Sequence, residues 1–413
     1  MASTFTNLII VLIAITALSQ IWLSRRHIGF VSQHRKKVPA PFKDIIKIKD
    51  HQKAADYTVD KSKLNILGLA VEAIFLYFIT IGGGIEWINQ YLAQYSFSEI
   101  TLGAMLIIAV MVLSSFVEMP MGLYKTFVID EKYGFNRMTF GIFISDLIKQ
   151  SILGLIIGLP VLYFSLWIIG NLGDLWWLWL WVFISAFNFI MLAVYPLFIA
   201  PLFNKFEPMK NKTLANQIEK LLNKCGFESS GLFVMNGSLR SNHGNAYFTG
   251  FGKSKRIVFF DTLLEKLSGK EIEAVLAHEL GHFHHNHVKK RIILMFLVSF
   301  IGLYILGLLK ESAWFYEGLG VSTMTDANAL LLFLLVSPLF VFFIRPVMAY
   351  YSRLNEFEAD EYACKFAKAQ DLKQSLVKLY RDNASTLTPD PLHSSFYDSH
   401  PPALLRIQAI DRL

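Results

Sequence analysis

The sequence predicts an α-helical membrane protein with seven transmembrane helices. The chain of 413 residues is 54% hydrophobic and only 17% charged, whereas an average soluble domain carries about 25% charged residues. Its mean hydropathy is +0.43, and its apolar residues are concentrated in seven runs of about twenty residues. Each run is long enough to cross a hydrocarbon layer about 30 Å thick.

The apolar runs also predict how the chain is organised. They lie at 5–23, 64–82, 101–120, 150–170, 175–198, 292–309 and 330–350. We expect the first run to remain as an anchor, because its basic residues follow the apolar stretch instead of preceding it, as they would in a cleavable signal. The predicted segments are five spans in 1–198, a soluble segment in 199–291, two spans in 292–350 and a second soluble segment in 351–413.

The distribution of basic residues predicts the orientation in the membrane. The loop 24–63 contains eleven Lys and Arg residues, whereas 83–100 and 171–174 contain none. Because basic loops remain cytoplasmic, we expect the N-terminus outside and both soluble segments, with the C-terminus, in the cytoplasm. These loops account for the net charge of +7 and favour membrane lipids with anionic head groups. The charge therefore does not indicate a nucleic-acid partner.

A cluster of histidines indicates a metal site. The stretch VLAHELGHFHHNHVKKR at 275–291 contains five of the eleven histidines. His278 and His282 are four residues apart, so they project from the same face of a helix. This is the H-E-x-x-H arrangement, in which two imidazoles bind zinc and the glutamate between them, here Glu279, acts as a general base. The longer three-histidine pattern fails because Val288 stands where its last histidine would be.

The motif lies within a predicted helix that begins near residue 269. Ser268 and Glu271 have the spacing of a capping box, and apolar residues then recur at helical spacing at Ile272, Val275 and Leu276. A third metal ligand must come from another part of the chain.

The segment 351–369, directly after the last apolar run, offers candidates for that ligand. Glu356 and Asp360 are four residues apart and share a helix face. This spacing suits a ligating carboxylate beside an acid that orients a ligating histidine through its other ring nitrogen. We expect Glu358 and Glu361 to point elsewhere and to be solvated. Spacing alone favours Glu356 without excluding its neighbours.

Several motifs together resemble one family, the CAAX prenyl proteases of type I. They are AHELGH, NEFEAD, VIDEKYGFN at 128–136, NAYFTGF at 245–251, RIVFFDTLL at 256–264 and SHPPALLRIQAI at 399–410. The resemblance extends from about residue 60 to the C-terminus in the family's order. It implies a seven-helix zinc metallopeptidase of the gluzincin type with a small cytoplasmic α+β domain, split by the last two spans. It also implies an intramembrane chamber, which would explain the polar residues in or beside the spans: Glu72, Glu118, Asp146, Lys149, Asn188 and Arg345.

The resemblance also assigns the site residues. It implies one Zn²⁺ per chain, bound by His278, His282 and Glu356, with Glu279 as the catalytic base and Asp360 supporting a ligand. His400 and Arg406 match a histidine and an arginine beside the zinc, where they can stabilise an oxyanion. The edge strand on which the family lays its substrate as an added strand matches Asn245, Ala246 and Tyr247. We interpret the histidines that match no ligand position as polar surface at the membrane boundary: His284, His285 and His287.

The expected function is a zinc-dependent membrane endopeptidase that acts on a peptide or protein and removes the C-terminal aaX tripeptide from prenylated proteins. One alternative is a membrane-protein quality-control metalloprotease, which shares the zinc motif. A more distant alternative is a transporter or channel with a structural metal site, which would be closed by four protein ligands.

Overall fold

The computed structural model describes residues 1–249 and 255–413. The first half of the chain contains the helices α1 (Ala2–His34), α2 (Ile48–Ile79), α3 (Gly84–Leu92), α4 (Glu99–Tyr124), α5 (Phe140–Leu153), α6 (Leu159–Asn171), α7 (Trp176–Val194) and α8 (Ala200–Phe203). Next come β1 (Phe206–Pro208), α9 (Lys212–Lys224), β2 (Leu232–Met235), β3 (Ala246–Thr249), β4 (Arg256–Phe260), α10 (Asp261–Lys266) and α11 (Gly269–His284). The last part comprises α12 (His287–Leu309), α13 (Ala313–Glu317), α14 (Asp326–Val341), α15 (Arg345–Phe366), α16 (Ala369–Asp382), α17 (Pro391–Tyr397) and α18 (Ala403–Ile410).

Within the described ranges, seven helical segments are long and apolar enough to cross a membrane. They are Ala2–His34, Ile48–Ile79, Glu99–Asp130, Phe140–Asn171, Gly173–Phe203, His287–Leu309 and Asp326–Phe366. The seven-span prediction is therefore confirmed. Most helices are longer than the apolar runs, because a helix continues beyond the hydrocarbon layer without needing apolar residues there. The helix Ile48–Ile79 shows this clearly, since its first half is rich in Lys and Asp.

Three of the polar residues within the spans face a protein group or a cavity. Asp146 accepts hydrogen bonds from Nε and Nη2 of Arg240 at 2.7 and 2.9 Å. Glu72 and Glu118 line a cavity of about 470 Å³ between α2 and α4. Because charged side chains are costly in hydrocarbon, these placements agree with polar residues that turn away from lipid.

A small sheet lies between the fifth and sixth membrane-spanning segments of the chain. The described strands are arranged in the order β1-β2-β4-β3, with β2 parallel to β4 and β3 antiparallel to it. Strand β3 therefore lies at an edge, with Ala246 opposite Phe259. Gly250 and Phe251, which end the NAYFTGF motif, lie outside the described residues. No described strand pairs with the outer edge of β3, so this edge is available for pairing with another strand.

Three contacts link the loop before β3 to the membrane helices. Phe135, in the VIDEKYGFN motif, stacks on His243 with ring centroids 4.6 Å apart. The bidentate pair of Arg240 and Asp146 joins the same loop region to α5. Tyr57 of α2 donates to Asp130 at 2.7 Å and holds the motif itself in place. The edge strand is thus positioned by the helix bundle.

The helix that carries H-E-x-x-H begins as predicted. Ser268 and Glu271 form the reciprocal capping box, and the helix starts at Gly269. Its apolar residues enter a hydrophobic cluster that also contains residues of α15, α16 and α18. Segments that precede and follow the last two spans therefore share one core, and this core brings α11 against α15.

Candidate metal centre

The contact between α11 and α15 brings three potential metal ligands together. Nε2 of His278 lies 3.4 Å from Oε2 of Glu356, and Nε2 of His282 lies 3.3 Å from its Oε1. One donor atom from each residue lies within 4.8 Å of the others. The i, i+4 spacing on α11 supplies the two imidazoles, and α15 supplies the carboxylate. Two histidines and one glutamate are a donor set typical of catalytic zinc, which leaves a fourth position open.

The surroundings of Glu356 favour a cation. This residue is only 4% exposed, and its Oε2 has no hydrogen-bond partner among the described residues. A buried carboxylate oxygen without a partner is costly unless a positive charge compensates it. The three residues therefore fit a metal ion chemically as well as geometrically.

Asp360 lies behind the first imidazole. Its Oδ1 is 2.8 Å from Nδ1 of His278, so that Nε2 of this ring is directed toward Glu356. Burial lowers the pKa of His278, but hydrogen bonds to Asp360 and Glu356 outweigh this effect and raise it to about 9. The two carboxylates therefore make the surroundings of this ring favourable for a positive charge. A metal ion bound at the ring would be stabilised by the same carboxylates.

The buried guanidinium of Arg406 is committed to Asp360. Its Nε and Nη2 donate to the two carboxylate oxygens at 2.8 and 2.6 Å, and Nη1 lies 3.5 Å from Oε2 of Glu356. The family resemblance assigns Arg406 to the catalytic group, beside an oxyanion. Its geometry adds a role in holding Asp360, which uses two of the five N–H donors of the guanidinium.

Glu279 and His400 lie on the accessible side of the three ligands. Glu279 is half-buried and lines two cavities, one on each side of the metal group. Nε2 of His400 lies 3.4 Å from Oε1 of Glu356, and its side chain is 61% exposed. Tyr380, which the sequence did not single out, donates to the Pro401 carbonyl at 3.3 Å. It thereby holds the loop that carries His400.

The two cavities meet at β3 and the metal group. The larger, of about 910 Å³, is bounded by Tyr247 and Phe248 of β3 and by apolar side chains of the spans: Phe189, Leu192, Ile292, Ile293 and Phe296. The smaller, of about 230 Å³, is bounded by Asn245 and Ala246 and by residues of α16 and the C-terminal segment. An extended peptide along β3 would therefore reach from one cavity to the other past the metal ligands.

The three remaining histidines of the cluster have different environments. His284 is exposed and His285 is half-buried, as the surface interpretation requires. That interpretation is wrong for His287, which is 1% exposed. Its Nδ1 lies 2.9 Å from Nδ1 of His282, and its Nε2 lies 2.8 Å from Oε2 of Glu358. Glu358, expected to be solvated, is half-exposed and engaged with this ring.

Fold and site together define a class of protein, a multi-pass membrane metalloprotease. Residues 27–205 match the family model for the CAAX prenyl protease N-terminal region with five membrane helices, and residues 208–413 match peptidase family M48. The chain belongs to the CAAX prenyl protease 1 family of M48 peptidases.

Named relatives support this membership over most of the chain. The CAAX prenyl protease 1 homolog of Arabidopsis thaliana is 34% identical, with 91% of this chain and 90% of that protein covered. The CAAX prenyl protease 1 of Saccharomyces cerevisiae is 33% identical, with 91% and 88% covered. The crystal structure of S. mikatae Ste24p superposes with a TM-score of 0.92 at 30% identity, over 98% of this chain and 99% of that one.

Proposed function

We propose that the metal is zinc and that the enzyme removes the C-terminal aaX tripeptide from prenylated proteins. The observation that carries this proposal is the position of the metal group between two cavities of different character, joined by a free strand edge. The relatives named CAAX prenyl protease 1 support the same substrate class.

The proposed ligands are His278, His282 and Glu356. A zinc ion held by them would act as a Lewis acid on the scissile carbonyl and would activate water at neutral pH. Glu279, next to the first ligand, accepts the proton of the attacking water and then delivers it to the leaving amide nitrogen. His400, on the accessible side, donates a hydrogen bond to the oxyanion that develops on the carbonyl.

The substrate backbone pairs with β3 at Asn245, Ala246 and Tyr247. Strand addition holds a peptide extended and uses the unpaired N–H and C=O groups of an edge. The larger cavity suits a prenyl group, because span residues such as Ile292 and Phe296 make its wall apolar and each buried CH₂ contributes about 0.8 kcal/mol. The smaller cavity, with polar groups from Tyr380 and Asn383, suits the short released peptide.

The segments 199–291 and 351–413 act as one catalytic unit, and this unit lies in the cytoplasm. The hydrophobic cluster shared by α11, α15, α16 and α18 supports the first statement. The basic loop 24–63 supports the second. A glycosylation acceptor sequence placed in 83–100 should be glycosylated, whereas one placed in 24–63 should not. The reverse pattern would overturn the orientation.

The ligand set is tested by metal analysis of purified variants. His278→Ala, His282→Ala and Glu356→Ala should each lose the bound zinc measured by mass spectrometry, because each removes one of three protein ligands. Glu361→Ala is the matched control, since this carboxylate lies on the same helix as Glu356 and pairs with Lys365 on the surface. Full zinc occupancy in Glu356→Ala would contradict the assignment.

The substrate class is tested with matched farnesylated and unmodified peptides that end in a C-a-a-X sequence. The zinc-loaded enzyme should cut the bond after the modified cysteine, with a higher kcat/KM for the farnesylated peptide. Ile292→Asn, in the larger cavity, should reduce this preference, whereas Met295→Asn on the same helix should not. Cleavage of a loosely folded membrane protein but of neither peptide would favour the quality-control function instead.

A further inference from the structure

His287 occupies a position that helical spacing does not predict. It follows His282 by five residues, and on a continuous helix the two side chains would lie about 140° apart. The chain instead leaves α11 after His284 and passes through Asn286, which has a left-handed φ of 58°. This turn directs the first side chain of α12 back onto His282, with Nδ1 atoms 2.9 Å apart.

The hydrogen-bond chain through His287 has a defined direction. Glu358 is a carboxylate and accepts only, so Nε2 of His287, at 2.8 Å, carries the hydrogen of that bond. In a neutral imidazole the other nitrogen is then a bare acceptor. Nδ1 of His287 therefore accepts from Nδ1 of His282, and Nε2 of His282 is left with its lone pair. That atom is the one directed at Glu356, at 3.3 Å.

The two imidazoles of the site are thus supported in parallel ways. Asp360 holds Nδ1 of His278 directly at 2.8 Å, whereas Glu358 acts on His282 through an intervening ring. Both acids belong to α15, although they project from different sides of it. Groups that fix the tautomer and orientation of a ligating histidine typically contribute a factor of 10 to 100 in metal affinity.

The geometry points to His287 and Glu358 as positioning residues that hold His282 in the tautomer and orientation required to bind the metal. This inference rests on the proposed function in that it takes His282 as a ligand. Its consequence is that the first residue of a membrane span takes part in organising the metal site, so that the end of α12 and the ligand move together.

The test compares zinc affinity, measured by competition with a chelator, in full-length variants. His287→Phe keeps an aromatic ring but removes the acceptor, and zinc should bind roughly 10 to 100-fold more weakly. His287→Asn keeps an acceptor near the position of Nδ1 and should recover most of the affinity. Glu358→Ala changes a half-exposed side chain, so it tests the same chain of bonds without a large change in the core. Glu361→Ala is the matched control on α15.

Weaker zinc binding in His287→Phe and Glu358→Ala, with thermal unfolding temperatures like that of the control, is the expected result. Unchanged affinity in both variants, while His282→Ala loses the metal, would overturn the role of His287 and leave the ligand set intact. Retention of zinc by His282→Ala would overturn the ligand assignment itself, and this inference with it.

Discussion

Gly281 and Ala359 bring the backbones of α11 and α15 into direct contact. A Cβ atom at position 281 would lie 2.8 Å from the Cα of Ala359 and 3.1 Å from its carbonyl oxygen. The absence of a side chain at Gly281 therefore sets the distance between the helix that carries the two histidines and the helix that carries Glu356.

Gly281→Ala should consequently impair both stability and metal binding. The added methyl group meets backbone atoms, which cannot rotate away, so α15 must move and separate Glu356 from the histidines. Overpacking of this kind costs about 1 to 3 kcal/mol. Thermal unfolding and zinc titration should both shift relative to Gly29→Ala, where a Cβ meets nothing within 4 Å. Wild-type zinc affinity in Gly281→Ala would show that the helix distance is not critical.

Glu279→Gln should keep its metal and lose turnover. The amide preserves the size of the side chain but cannot accept the proton of water, and general-base catalysis typically contributes roughly 10² to 10⁴ in rate. Zinc content and kcat are the measurements. Glu273→Gln, on the same helix and hydrogen-bonded to Gln217, should retain activity. Near-normal turnover in Glu279→Gln would show that Glu279 is not the general base.

Asp360→Asn should weaken zinc binding about 10 to 100-fold. The amide oxygen still reaches Nδ1 of His278, but the negative charge that supports this ring and pairs with Arg406 is lost. The control is Asp411→Asn, which changes an exposed partner of Lys373. Because Arg406 is left buried without its counter-charge, a lower unfolding temperature should accompany the change. Equal zinc affinity and equal activity in the two variants would contradict this prediction.

Ala246→Pro should reduce kcat/KM without disrupting the sheet. Phe260 donates its N–H to the Asn245 carbonyl, and hydrogen-bonded pairs alternate in an antiparallel ladder, so the N–H of Ala246 points to the free edge. Among the described residues, its one hydrogen-bond partner is the side-chain oxygen of Asn245, at 2.8 Å. Proline removes this donor while leaving the bonds to β4.

One hydrogen bond contributes about 1 kcal/mol, or roughly a factor of five in kcat/KM. Ala246→Val is the control, because it keeps the N–H group and suits a strand. Equal kcat/KM in the two variants, with both folded, would argue against strand addition at this edge.

Much of the molecule is predictable because the information is local. The apolar runs predict the seven spans, Ser268 and Glu271 predict where α11 begins, and four-residue spacing places His278 and His282 on one face. These features depend only on the period of a helix and on the residues next to it. The combination of motifs also predicts the family, which the comparisons confirm.

The third ligand and its surroundings depend on which helices meet. Spacing leaves Glu356 in competition with its neighbours, whereas the packing of α15 on α11 buries Glu356 between the two imidazoles and leaves Glu358 half-exposed. Arg406 likewise matched a catalytic position by motif, and only the fold shows that two of its donors hold Asp360.

The sequence by itself determined the class of membrane protein, its spans and the local form of the metal motif, because hydrophobicity and helical period act within a few residues. Tertiary structure alone decided the position of His287, which we had interpreted as polar surface because it matches no ligand position of the family. A single left-handed residue, Asn286, interrupts the helix between α11 and α12, and helical period carries no information across such a turn. Contacts made beyond that turn, with residues about seventy positions away on α15, arise only when the two helices pack.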